Sequence, residues 1–262
     1  MPRLRVLALL SALALAACGA PQISVPLGDV TAANFGDRKP FDWPGQSPER
    51  YAVHGIDVAR FQDPLNWGEA RVSGVNFAFI KATEGGDLLD PMFQNHWDGA
   101  GRAGVARGAY HFYYFCTTPE KQARWFIENV PKTTGMLPPV LDLEWNPFSP
   151  TCTLRPPADT VRRNAQTFLS ILRAHYGQQP VVYTTPEFYA QNDMGRLRDV
   201  EFWLRSTAAH PSEKYPNERW TFWQYTSTGR VTGAQGDIDI DINVYAGSPA
   251  SWENWLSRRQ VR

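Results

Sequence analysis

The sequence predicts an α/β fold, a single-domain irregular (β/α) barrel of about eight mostly parallel strands with fewer than eight full helices. Three observations carry that prediction. Eight short apolar runs recur from Tyr51 onward, amphipathic helical patterns separate most of them, and the last three connections are too short for full helices. Residues 51–262 are also long enough to build one sizeable core.

The strand candidates, in order, are Val53–Val58, Phe77–Ala82, Ala106–Phe112, Val140–Leu143, Val181–Thr184, Phe202–Leu204, Thr221–Tyr225 and Ile238–Tyr245. The clearest helix runs from Asp159 to Tyr176, where Val161, Ala165, Phe168, Leu169 and Leu172 share one apolar face. Upstream, Gly19 to about Arg50 is rich in Pro, Gly and Asp and lacks periodicity, which reads as a flexible tether over residues 18–50.

Composition narrows the function classes. Hydrophobic residues make up 43% and charged residues 20%, which excludes a disordered chain. Lys plus Arg and Asp plus Glu both number 26, so no net field gathers nucleic acid. The chain holds 10 Trp, 10 Tyr and 14 Phe, flat ring surface for which sugar rings are one client.

The N-terminus reads as an address. Arg3 and Arg5 precede an apolar run from Val6 to Leu15, then Ala16 and Ala17, the pattern of a secretory signal peptide over residues 1–17. The run is shorter than the roughly 20 residues that a membrane-spanning helix needs. Leu15-Ala16-Ala17-Cys18 resembles the bacterial lipobox, which implies lipidation of Cys18 and a membrane anchor. An ordinary signal cleaved near Ala17 is the alternative. By resemblance to Gram-negative lipoproteins, Gly19 implies an outer-membrane lipoprotein facing the periplasm. Cys116 and Cys152 then remain as an even pair in an oxidising compartment, either a disulfide or two buried thiols.

In a barrel of this kind the site sits at the C-terminal ends of the strands, so polar residues closing apolar runs are the informative ones. They are Asp57, Lys81 with Glu84, His111, Asp142 with Glu144, Thr184, Gln224 and Asp241. A single acid there is often a helix cap or turn residue. Acids on four separate runs point instead to one rim. Asp142 and Glu144 lie two apart, so their side chains share a face with Cα atoms about 6 to 7 Å apart. Like charges at that range push one pKa up. A protonated carboxyl beside an ionised one is what glycoside hydrolysis uses.

Other motifs lead elsewhere or nowhere. Gly236 to Asn243 alternates Asp with apolar residues and suggests a cation site, but calcium loops rely on turns, so a strand with a polar cleft face is preferred. Gly99 to Gly104 fits the spacing of a dinucleotide loop in the reverse structural context. Nucleophile-elbow, Walker and zinc-protease motifs are missing from the sequence. No cofactor or metal is expected.

Three segments resemble successive signatures of glycoside hydrolase family 25, the lysozyme-type muramidases: Gly55-Ile56-Asp57-Val58, Gly74 to Gly85 with Lys81-Ala82-Thr83-Glu84-Gly85, and Gly108-Ala109-Tyr110-His111-Phe112. Pro139 to Glu144, Val182-Tyr183-Thr184, Phe202-Trp203-Leu204, Trp223-Gln224-Tyr225 and Asp241 to Tyr245 continue the order. The resemblance implies cleavage of the β-1,4 bond between N-acetylmuramic acid and N-acetylglucosamine in peptidoglycan. It implies Glu144 as general acid, Asp142 as the neighbour that orients or stabilises, and Asp57 and Asp241 as further cleft acids. Tyr110, His111, Glu84, Tyr183, Trp203 and Gln224 are the expected substrate-binding residues. The chain is expected to act as a monomer on glycan strands. A retaining, substrate-assisted route is favoured over inversion. Ala59 and Arg205 depart from the family pattern and motivate a non-catalytic wall-binding alternative; a third reading is hydrolysis of chitin or another N-acetylated polysaccharide.

Overall fold

The computed structural model describes residues 29–62 and 64–262. The expected signal peptide and Cys18 lie outside the described residues. Along the chain run β1 (Gly36–Asp37), β2 (His54–Val58), α1 (Trp67–Val72), β3 (Phe77–Glu84), β4 (Leu88–Leu89), α2 (Phe93–Arg102) and β5 (Ala106–Phe112). Next come α3 (Pro119–Asn129), β6 (Val140–Leu143), α4 (Ala158–Tyr176), β7 (Val181–Thr184), α5 (Pro186–Gln191) and β8 (Glu201–Arg205). The remainder is α6 (Pro211–Lys214), β9 (Phe222–Arg230), β10 (Ile240–Tyr245) and α7 (Pro249–Arg259).

All eight expected strands form, and they close into one barrel. β2, β3, β5, β6, β7, β8 and β9 pair in parallel, each with the next. β10 runs antiparallel to both β9 and β2 and closes the ring. The short β9–β10 connection forces that reversal, because a parallel return needs a crossover of a dozen or more residues. Expected strand Ile238–Tyr245 begins at Ile240, with register shifts on either side of Ile242.

Local chemistry accounts for the element ends. Asn66 accepts from the Gly68 and Glu69 amides and starts α1; Thr118 accepts from Lys121 and, with Pro119 behind it, starts α3. α4 buries the expected face and stops at Gly177, whose φ of 71° is left-handed. Gly55 sits on β2 where a Cβ would lie 2.4 Å from the Phe77 carbonyl oxygen, so no larger residue fits.

The inner floor of the barrel is aromatic. Phe77, Phe79, Phe222 and Trp203 pack there with Val140 and Val181, and Trp252 and Trp255 of α7 plug the end. Much of the aromatic surplus therefore builds core, and only part of it is left for sugar rings.

The tether reading also needs correction from Asp29 onward. β1 pairs antiparallel with β9, the Arg71 guanidinium donates to Thr31 Oγ1 at 2.9 Å and to the Asp29 carbonyl at 2.6 Å, and Trp43 packs on Trp223 with ring centroids 5.1 Å apart. The physical reason is exposed wall. The connections around β9 and β10 carry no long helix, so outward-facing His54, Tyr225 and Ile242 need another cover, and residues 29–52 supply part of it.

Candidate active site

Strand direction and side-chain alternation bring the acids together. Asp57 is the inward residue near the end of β2, Asp142 occupies the same place on β6, and Glu144 follows one residue beyond β6. Asp241 stands near the start of β10, not its end, and reaches the same rim because β10 runs antiparallel; it pairs in register with Asp57. A cleft of about 320 Å³ opens between them, and Lys81, Tyr110, Phe112, Tyr183, Trp203, Arg205 and Gln224 also line it.

A hydrogen-bonded frame sets the inner acid. Asp57 Oδ2 accepts from Gln224 Nε2 at 2.9 Å and Asn243 Nδ2 at 2.8 Å. Those amides are fixed from behind, since the Tyr183 hydroxyl donates to Gln224 Oε1 at 2.9 Å and Trp203 Nε1 donates to Asn243 Oδ1 at 2.7 Å. Asp142 is treated differently. Its Oδ1 is buried and accepts no hydrogen bond from any described residue. A buried acceptor without a partner costs free energy unless a ligand supplies the donor.

Burial is the main force on all four carboxyls. It pushes Asp57 well above the usual carboxylate range, with the neighbouring Asp241 charge adding to the effect and the two amides opposing it. It pushes Asp142 up as well, reinforced by the charge of Glu144. Glu144 rises to about 6 through burial, against the pull of the Arg205 charge. Burial likewise raises Asp241 to about 6, against the pull of the Arg205 charge. The site therefore holds carboxyls that keep protons near neutral pH and sets them beside others that lose them.

The other expected residues divide. Tyr110, Tyr183, Trp203 and Gln224 line the cleft. Trp203 and Tyr183 are nearly fully buried and form its base, so their rings offer little open stacking surface. Glu84 stands beside the cleft, where Lys81 Nζ donates to it at 2.5 Å and the Tyr114 hydroxyl also donates. Burial works to raise its pKa, but those two hydrogen bonds win and hold it low.

His111 is not brought to the cleft. It follows Tyr110 on β5 and so faces the opposite side of the strand. There it is fully buried, with Nδ1 on Thr83 Oγ1 at 2.7 Å, Nε2 on Gln122 Oε1 at 3.0 Å, and its ring stacked on Phe168 of α4. Asp239, read as part of the polar cleft face, instead pairs with Arg38 and Arg230 outside. Cys116 and Cys152 form a disulfide with Cα atoms 5.7 Å apart, tying the loop after β5 to the loop after β6 that carries Glu144.

Three contributors were missed as site residues. Asn243 holds Asp57, and its place two residues after Asp241 was a usable signal. Phe61 lines the rim at 65% exposure, with the Arg60 guanidinium 4.8 Å from its ring centroid; nothing in the sequence marked it. Arg205 lines the cleft as a cation among acids.

Four carboxyls, a supporting amide frame and a barrel mouth invite comparison with known glycosidases, and the comparison is direct. The sequence profile of the glycosyl hydrolases family 25 matches residues 56–234. The chain belongs to that family. Lysozyme M1 of Streptomyces globisporus is 35% identical over 209 residues, covering 76% of this chain and 69% of that one. The structure of a family 25 glycosyl hydrolase from Bacillus anthracis superposes with a TM-score of 0.73 at 35% identity, covering 80% of this chain and 95% of that one. A bacterial lysozyme from Streptomyces coelicolor follows with a TM-score of 0.69 at 33% identity, covering 79% and 97%.

Proposed function

We propose that this family 25 protein is a lysozyme, a peptidoglycan hydrolase that cleaves the β-1,4 bond between N-acetylmuramic acid and N-acetylglucosamine. The observation that carries the reading is the meeting of Asp57, Asp142, Glu144 and Asp241 at one rim, with burial raising Glu144 to about 6. Lysozymes among its relatives support the substrate class.

Each role follows from the surroundings. Glu144, protonated, gives its proton to the glycosidic oxygen as the C1–O bond breaks. The unpartnered Asp142 Oδ1 accepts the N–H of the substrate's acetamido group and turns its carbonyl oxygen toward C1. That oxygen closes on C1 to a cyclic oxazolinium; water then attacks C1 and gives its proton to the Glu144 carboxylate, so configuration is retained. Asp241 supplies negative potential beneath the developing positive charge, and Asp57, held by Gln224 and Asn243, stands beside it. Tyr110 and Phe61 offer apolar faces to the sugar at the rim.

The N-terminal pattern completes the proposal. Residues 1–17 export the chain and Cys18 anchors it by lipid, at the outer membrane facing the wall. No helix among the described residues is long and apolar enough to cross a membrane. The protein acts alone on glycan strands.

The deciding experiment is digestion of purified sacculi in oxygen-18 water with mass spectrometry of the fragments. New reducing muramic acid ends carrying the label are expected. Binding to sacculi without release of fragments would leave a wall-binding protein instead, and faster turnover of chitin oligomers would reassign the substrate.

A further inference from the structure

Two cations line the cleft, and the structure uses them differently. Lys81 is engaged, with Nζ on Glu84 and 4.9 Å from the centroid of the Phe112 ring. Arg205 ends β8, two residues past Trp203, so it shares the inward face and stands one pleat nearer the mouth. Its backbone is fixed, since the buried Tyr215 hydroxyl donates to the Arg205 carbonyl at 2.6 Å and the next amide, Ser206, donates to the Gln224 carbonyl at 2.9 Å. Its guanidinium makes no hydrogen bond and no ion pair with any described residue. The side chain is half-buried.

That arrangement leaves a planar fork of five N–H donors at the edge of an acidic cleft with no acceptor among the described residues. Glu144 and Asp241 feel its charge but do not close to ion-pair distance. The ionised carboxyls of the cleft would repel any anion that entered. A guanidinium aimed among them offsets the repulsion at one point and matches a carboxylate with two parallel hydrogen bonds.

We propose that Arg205 binds a carboxylate of the glycan substrate and so sets specificity for muramic-acid-containing strands over uncharged N-acetylated glycans. The inference rests on the muramidase reading. N-acetylmuramic acid differs from N-acetylglucosamine by its lactyl ether, and that ether, or the peptide stem attached to it, is the source of carboxylate in such strands. Strands stripped of stems expose the lactyl carboxylate; intact strands carry carboxylates only on the stem. Both present the same group to the fork.

The test compares wild-type protein, Arg205→Ala and Arg205→Lys on stem-bearing strands, on strands stripped of stems by an amidase, and on both after their carboxylates are converted to amides. On native strands Arg205→Ala should raise KM about tenfold or more with little change in kcat, and Arg205→Lys should recover part of the loss. The gap between variant and wild type should close on the amidated strands. A defect confined to stripped strands identifies the lactyl group as the source, and one confined to stem-bearing strands identifies the stem. An equal defect on native and amidated strands, or a fall in kcat with KM unchanged, overturns the proposal. Cleavage of none of the strands by wild type would sink the muramidase reading separately. In that event calorimetry with N-acetylmuramic acid decides, and equal binding by wild type and Arg205→Ala overturns the inference.

Discussion

The floor and the mouth of the barrel are built on the same strands, one pleat apart, and they obey opposite rules. β3 carries Phe77 and Phe79 inward and then Lys81; β6 carries Val140 and then Asp142; β8 carries Trp203 and then Arg205; β9 carries Phe222 and then Gln224. Below, rings pack at centroid distances of 4.6 to 5.7 Å around Phe79 and the side chains are buried. Above, burial works against the charge of every acid. A shift of about 7 Å along a strand separates a layer that stabilises the fold from one that costs stability and does the chemistry.

The largest test removes a floor ring. Phe79 is fully buried between Trp203, Phe222 and Phe77. Phe79→Ala should cost about 3 to 5 kcal/mol of unfolding free energy in a denaturant titration, through lost burial and the cavity left behind. Turnover per folded molecule should fall by far less than for any mouth acid. A hundredfold loss of kcat with unchanged stability would break the division between the layers.

The converse test is Glu144→Gln. Turnover should drop about 100-fold or more, because a general acid contributes on that scale. Stability should not drop with it. A carboxyl raised from 4.5 to about 6 on folding holds its proton more tightly in the folded state, so the native carboxyl loses stability as pH climbs between those values. The variant should therefore be more stable than wild type at pH 7, by up to roughly 2 kcal/mol, and the advantage should vanish below pH 4.5. Thermal melts across that range check both signs.

The same two-residue rhythm explains how much was legible in the sequence. Strand alternation and the apolar runs located the barrel and put Asp57, Asp142, Glu144 and Gln224 near one rim, while Tyr183 came from the family pattern. Alternation should also have separated Tyr110 from His111, because neighbours on a strand cannot both face inward; the end of the apolar run pointed to His111 and the family pattern to Tyr110. His111 instead sits among Thr83, Gln122 and Phe168, where burial lowers its pKa to about 4. Strand direction was not legible. Asp241 reaches the rim from the start of β10 only because that strand reverses. Residues 29–50 read as tether because they lack periodicity, yet isolated anchors such as Thr31, Asp37 and Trp43 dock them on wall that no helix covers.

His111 offers a test of intermediate size, since its protonation would put a charge into the layer between barrel and helices. A histidine held near 4 when folded and at 6.5 when free contributes stability that is full above pH 6.5 and is lost as pH falls toward 4. His111→Gln should flatten the acid side of the stability profile while leaving KM for glycan strands unchanged. A rise in KM without loss of stability would return His111 to the cleft.

The smallest expected effect reads the mouth's own electrostatics. With Glu144 at about 6 in the free protein, kcat/KM should fall as pH rises through about 6, since the acid must carry its proton to act. Burial raises that value and the Arg205 charge pulls it back down, so Arg205→Ala should move the alkaline limb to higher pH. Added salt should mimic part of the shift, because screening weakens the charge of a half-exposed guanidinium more than it weakens burial. A limb that stays in place in Arg205→Ala would mean that water already screens Arg205 from Glu144, and that burial alone poises the acid.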